Sequence, residues 1–240
     1  MKFRLMICAM AASTALFATD VTSDTYGVLS VTNAAATTVV GVPWRNVGGG
    51  EMSNVTLSNL VSTTGLATDD IIYLYEGTTW YGYKLSGTGV WEPYTTVSGT
   101  TTVSQPGSAD GKTLARGTGL IIERASAANP IFLCGRYDSS TPSATSVSSG
   151  SKALVANPTT TIKYVTVGAV GDEIRVVKDG GAMDIFERRS DGWYGTELVT
   201  VGGFSVKKKV KLASGVPLDP GKGVWYVNNG SDAVSVSWGE

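Results

Sequence analysis

The chain has 240 residues, 42% of them hydrophobic and 16% charged, with 19 basic against 20 acidic side chains, no histidine, 2 cysteines and 30 glycines. Without histidine the commonest general base and metal ligand is missing, and a near-zero net charge with a pI of about 5.6 leaves no electrostatic footprint for nucleic acid or an anionic membrane. The apolar content suffices for one large core or two small ones, which excludes a disordered tail.

At the start of the chain, Lys2 and Arg4 precede an apolar run from Leu5 to about Phe17, followed by small and polar residues. This is the layout of an export signal, with residues 1–18 removed near Ala18. The run is shorter than the ~20 apolar residues of a membrane span, and no other stretch approaches that length. The processed chain is expected to be secreted or held at the cell surface, with no stable membrane span. Cys8 leaves with the signal, and a single Cys134 cannot form an internal disulfide. Flanked by Ile131, Phe132 and Leu133, Cys134 is expected to be a small buried residue of a strand.

Residues 21–32 have strand character in Tyr26, Val28, Leu29 and Val31. This segment is the candidate assembly strand. It either completes its own sheet or inserts into the open edge of a neighbouring copy. A short helical turn is expected around Leu57 to Val61, capped by Thr56.

Beyond it, Ile71 to Tyr75, Thr79 to Tyr83, Ile174 to Val177 and Val224 to Val227 alternate and are rich in β-branched and aromatic residues. Turn residues punctuate the chain at the spacing of a sandwich or barrel. A Thr/Ser/Gly stretch from Thr95 to Gly107 reads as a loop, and Asp138 to Ser151 as a Ser/Thr-rich linker. In the second half, alternation along Phe204 to Leu212 sets Val206, Val210 and Leu212 on one face with Lys208, and Lys207, Lys209 and Lys211 on the other. Lysines of this kind suit an edge strand that resists unwanted pairing, or a dock for an acidic partner.

The second half echoes the first at a spacing of about 100 residues. Thr38-Val39-Val40-Gly41-Val42-Pro43 is matched by Ala153-Leu154-Val155-Ala156-Asn157-Pro158, and Thr68-Asp69-Asp70-Ile71-Ile72 by Gly171-Asp172-Glu173-Ile174-Arg175. Turns delivering Trp91 and Trp193 follow, then Leu114 to Ile121 against Leu218 to Trp225, and finally Pro130 to Leu133 against Ala233 to Val236. The expected organisation is all-β: two tandem homologous sandwich or barrel-like modules, residues 19–137 and 152–240, joined by the linker at 138–151.

The series of Asp-acidic-Ile strand, Gly-x-Trp turn and Leu218-Asp219-Pro220-Gly221-Lys222-Gly223-Val224-Trp225 resembles repeated β-rich modules of secreted and surface proteins of bacteria and archaea. It is also similar to uncharacterised exported proteins of the verrucomicrobial and planctomycete group. The resemblance implies an extracellular building block or accessory module and no reaction.

The residues suggest no catalytic, cofactor or metal site. Carboxylates such as Asp69, Asp70, Asp172 and Glu173 recur at equivalent turns, where an Asp side chain bonds nearby backbone N–H groups. Serine lacks a histidine partner, and the glycine-rich blocks lack the Lys-Ser/Thr of a phosphate loop. Aromatic residues leave a choice. Trp91 and Trp193 are expected in the core by their equivalent placement, and Tyr81, Tyr83, Tyr194 and Tyr226 are the candidate contacts for a glycan or partner. The expected function is a non-enzymatic structural protein assembling with copies of itself into a fibre, appendage or layer. A carbohydrate-binding or adhesin module is the alternative.

Overall fold

The computed structural model describes residues 26–31, 37–42, 54–98, 101–104, 106–125, 129–136, 144–159, 161–178, 182–201 and 204–239. The export signal and Pro43 lie outside the described residues. The fold is all-β, with one four-residue helix among the described residues.

The first half runs β1 (Tyr26–Val31), β2 (Thr37–Gly41), β3 (Val55–Thr56), helix α1 (Leu57–Leu60), β4 (Ile71–Glu76), β5 (Thr79–Leu85), β6 (Trp91–Tyr94), β7 (Thr96–Ser98), β8 (Thr101–Ser104), β9 (Thr113–Leu114), β10 (Gly119–Glu123) and β11 (Ile131–Arg136). The second runs β12 (Thr145–Val147), β13 (Lys152–Ala156), β14 (Lys163–Val165), β15 (Glu173–Val177), β16 (Met183–Arg189), β17 (Gly192–Val201), β18 (Phe204–Lys211), β19 (Val216–Leu218), β20 (Gly223–Val227), β21 (Val234–Val236) and β22 (Trp238–Gly239).

The same pairing scheme occurs in both halves. Strand order β2-β10-β4-β5 in the first is matched by β13-β20-β15-β16 in the second, β1-β11 by β12-β21, and β3-β9 by β14-β19. Alternation explains which face of each sheet is covered: Ile72 and Leu74 are buried while Ile71, Tyr73 and Tyr75 between them are only half-buried. Trp91, Tyr83, Leu120 and Ile122 belong to a first apolar core, and Trp193, Ile174, Val224 and Tyr226 to a second. Trp91 and Trp193 are thus core residues, as their placement predicts.

Three local expectations change. Val147 of β12 is buried in the second core and its strand pairs with β21, so the last residues of the expected linker belong to the second half. The expected loop from Thr95 to Gly107 contains β7 and β8, because its Thr and Val residues extend β5's sheet. The helical turn forms at Leu57–Leu60, buried through Leu57 and Leu60, but Thr56 makes no capping bond with its side chain.

The halves meet at the edge strands β2 and β13 and their neighbours β10 and β20, and equivalent groups make equivalent contacts. Gly41 N–H donates to Gly221 O at 2.9 Å and Ala156 N–H donates to Gly117 O at 2.9 Å. Val40 bridges to Lys222, and Val155 to Thr118. A Cβ on Gly119 would lie 2.9 Å from Leu154 Cβ, and one on Gly223 would lie 2.8 Å from Val39 Cγ1. Glycine is therefore required at both places for the backbones to approach, and the junction has local two-fold character.

Candidate functional site

The buried carboxylates are structural. Asp70 Oδ2 accepts from Ala67 N–H at 3.0 Å, its Oδ1 accepts from Ala125 N–H at 2.7 Å, and Arg124 Nε lies 3.0 Å from Oδ2. Asp172 repeats the arrangement, accepting from Ala169 N–H at 2.8 Å, Asn229 N–H at 2.9 Å and Tyr226 Oη at 2.6 Å. Each clamps the turn before β4 or β15 to the end of β10 or β20. The preceding residue has positive φ in both halves, 76° at Asp69 and 95° at Gly171. Among the described residues no group of three or more His, Cys, Asp or Glu is placed to hold a metal.

Strand β1 lies antiparallel to β11 of its own half, with Val28 opposite Cys134 and Leu29 opposite Leu133. Val31 is buried, Leu29 packs on the first core, and Gly221 of the second half comes against Leu29. Val28 is half-buried. Within one copy, therefore, this strand completes its own sheet.

Of the four tyrosines expected as contacts, two are core residues. Tyr83 and Tyr226 are fully buried because β5 and β20 turn that face onto the apolar layer, so neither offers a ring to a ligand. Burial, aided by the Glu76 charge, pushes the Tyr83 phenol up to about 12. Burial and then the Asp172 carboxylate raise Tyr226 further still. Tyr81 and Tyr194 keep partial exposure but lie in different halves. Lys112 Nζ stands 5.3 Å from the Tyr81 ring centroid, while Tyr194 donates to Asp191 at 3.0 Å under the Arg189 guanidinium.

The half-exposed rings that do come together are Tyr73, Tyr75, Trp80 and Trp225. Trp225 lies 5.2 Å from Tyr75 and 5.5 Å from Trp80, and Tyr73 lies 6.3 Å from Trp80. Lys152 Nζ sits 5.4 and 5.0 Å from the Tyr75 and Trp225 centroids. This cluster seals one end of the junction between the halves. The alternation of Ile71, Tyr73 and Tyr75 places both tyrosines on one face, but nothing local says that Trp225 arrives from the other half.

The main departure from equivalence is the hairpin after Trp91 and Trp193. In the first half the return strand β8 pairs in parallel with the start of β5, Trp80 opposite Val103, and lies between β5 and β7. In the second half the return strand β18 lies on the far side of β17. Strand β17 meets β16 only from Gly192 to Tyr194, and from Gly195 to Val201 it pairs with β18 alone. The result is a two-stranded arm with Phe204 77% and Leu198 70% exposed.

Three sheet edges are left open by this arrangement among the described residues, one of them that of β17 from Gly195 to Val201 facing away from β18. Among the described residues, no strand pairs with the edge of Met183 to Phe186 that corresponds to β8's partner, nor with the outer edge of β18. A crevice of about 110 Å³ opens at the fork, lined by residues including Ile185, Phe186, Gly195, Val210 and Leu212. Lysines follow the expected alternation. Lys207, Lys209 and Lys211 stand opposite Leu198, Thr196 and Tyr194, and Lys208 opposite Glu197. Of the apolar face expected there, Leu212 packs on the second core, while Val206 and Phe204 stand exposed.

Comparison with known proteins finds no matching family model, no matching curated protein and no matching solved structure. No helix among the described residues is long and apolar enough to cross a membrane.

Proposed function

We propose that the chain is an exported, non-enzymatic structural protein of two tandem β modules that assembles with copies of itself into a fibre, appendage or layer at the cell surface. The observation that carries this reading is the projecting β17–β18 arm, which exposes Leu198 on β17 and Phe204 and Val206 on β18, whose outer edge is unpaired among the described residues. Exposed apolar residues on an open sheet edge are an aggregation hazard unless a partner covers them, and copies of the chain are the partner always at hand. Negative-stain electron microscopy of the processed chain, residues 19–240, tests it. Ordered fibres or sheets are the expected result, and dispersed single particles at every concentration would count against it.

A second reading, a carbohydrate-binding or adhesin module, is favoured by the half-exposed Tyr75, Trp80 and Trp225 rings beside Lys152. Flat rings stack on sugars and lose little entropy on binding. On this reading Trp80→Ala weakens retention on an insoluble glycan by about tenfold, an energy of about 1.4 kcal/mol, at a temperature where circular dichroism shows the variant to be folded. Unchanged retention, or no binding by the unsubstituted chain across a glycan panel, removes it.

A further inference from the structure

The two halves differ at one strand position, and the difference points to a contact between copies. In the first half β5 is covered along its start by β8, whose Val103 is buried. The equivalent start of β16, Met183 to Phe186, pairs with β15 on one side but among the described residues has no strand on the side that β8 fills in the first half, and Met183 and Ile185 are exposed. The fold therefore builds the same edge twice and fills it once. An edge covered in one half by an extended Thr/Val strand is suited to receive an extended strand in the other.

Among the described residues, β18 combines a free edge with chemistry that matches this one. Strand β18 offers an unpaired edge, exposed apolar side chains in Phe204 and Val206, and the basic run Lys207, Lys208 and Lys209. The β16 edge offers exposed Met183 and Ile185 with the acidic Asp184 and Glu187. Within one copy these acids already attract cations, Lys178 at 2.7 Å from Asp184 and Lys209 at 3.7 Å from Glu187, in half-exposed pairs that exchange readily. Pairing of β18 with β18 of another copy is disfavoured, because an antiparallel pair centred on Lys208 sets Lys207 opposite Lys209.

We propose that the arm of one copy docks through β18 on the open β16 edge of a second copy, making Phe204, Val206 and the lysines the donor surface and Met183 to Glu187 the acceptor. This inference rests on the self-assembly reading above and names its interface. The contact covers both exposed apolar sets at once and brings basic residues to acidic ones, while leaving β1 on its own β11.

Two single substitutions on exposed residues separate the surfaces: Phe204→Ser disables the donor and Ile185→Lys disables the acceptor, with Lys207→Glu as a second donor variant. Light scattering and sedimentation are read with far-UV circular dichroism and melting temperature as folding controls. Each variant alone is expected to lose assembly by at least tenfold at the concentration where the unsubstituted chain assembles. An equimolar mixture of Phe204→Ser and Ile185→Lys is expected to recover a heterodimer, since one intact arm meets one intact edge. Variants that assemble like the unsubstituted chain would overturn this contact while leaving self-assembly standing, and so would variants that fail both alone and in mixture. An unsubstituted chain that stays monomeric would overturn both.

Discussion

Asp70 and Asp172 show how one residue type serves the same end with different partners. Both accept from two backbone N–H groups, but the third partner is Arg124 in one and Tyr226 in the other. Replacing Tyr226 by Phe should cost about 1–2 kcal/mol in chemical denaturation at neutral pH, because Asp172 keeps its backbone partners. It should also change the response to alkali. The Tyr83 phenol is pushed up to about 12 and Tyr226 is raised more, whereas tyrosines in an unfolded chain ionise near 10. The unfolded state then loses its protons first, so stability is complete below about pH 10 and falls above it by up to about 1.4 kcal/mol per pH unit for each tyrosine. The fall should be shallower in Tyr226→Phe. Equal slopes between pH 10 and 12 would show that Tyr226 does not ionise on unfolding. At this scale the sequence was readable where a turn repeated: Trp91 and Trp193 follow matched hairpins and are buried. Tyr81 and Tyr83 were harder, since alternation says that they share a side of β5 but not that this side faces the core, nor that Tyr81 at the strand's start stays partly open.

Among elements, the repeated glycines of the junction carry the clearest consequence. Gly223→Val would drive a Cβ to 2.8 Å from Val39 Cγ1 and 2.9 Å from Val40 O, so the junction must open. The expected cost is about 1–3 kcal/mol in denaturant unfolding, as for other overpacked sites. Gly87→Ala, where an added Cβ meets nothing within 4 Å, should stay within about 0.5 kcal/mol of the parent. Equal effects at the two positions would contradict a tight junction. The strands themselves were legible from alternation and turn residues, but the acidic turns were matched one residue out: the recurring blocks set Asp69 against Asp172, whereas the hydrogen bonds and the positive φ of Asp69 and Gly171 make Asp70 the counterpart of Asp172. The direction in which a hairpin returns was not legible. Trp91-Glu92-Pro93-Tyr94 and Trp193-Tyr194-Gly195-Thr196 both read as strand. Yet β8 tucks its Val103 against Gly82, while Ile185 stands at the matching place in β16 and β18 returns outside β17. That choice depends on side chains about 20 residues apart and has no local signature.

Across the whole molecule, two cores built to one pairing scheme meet at a junction whose glycines bring the backbones together, and one half carries an arm that the other folds away. The doubled scheme was visible in the sequence because five short blocks recur in order. The junction aromatics were not, since Tyr75 and Trp225 are 150 positions apart and belong to different repeats. On the reading argued above, the arm is what turns a folded chain into a building unit. Sedimentation velocity of the processed chain over a hundredfold range of concentration measures this directly. The expected result is a population shifting to larger species as concentration rises. A single sedimenting monomer throughout that range would contradict it.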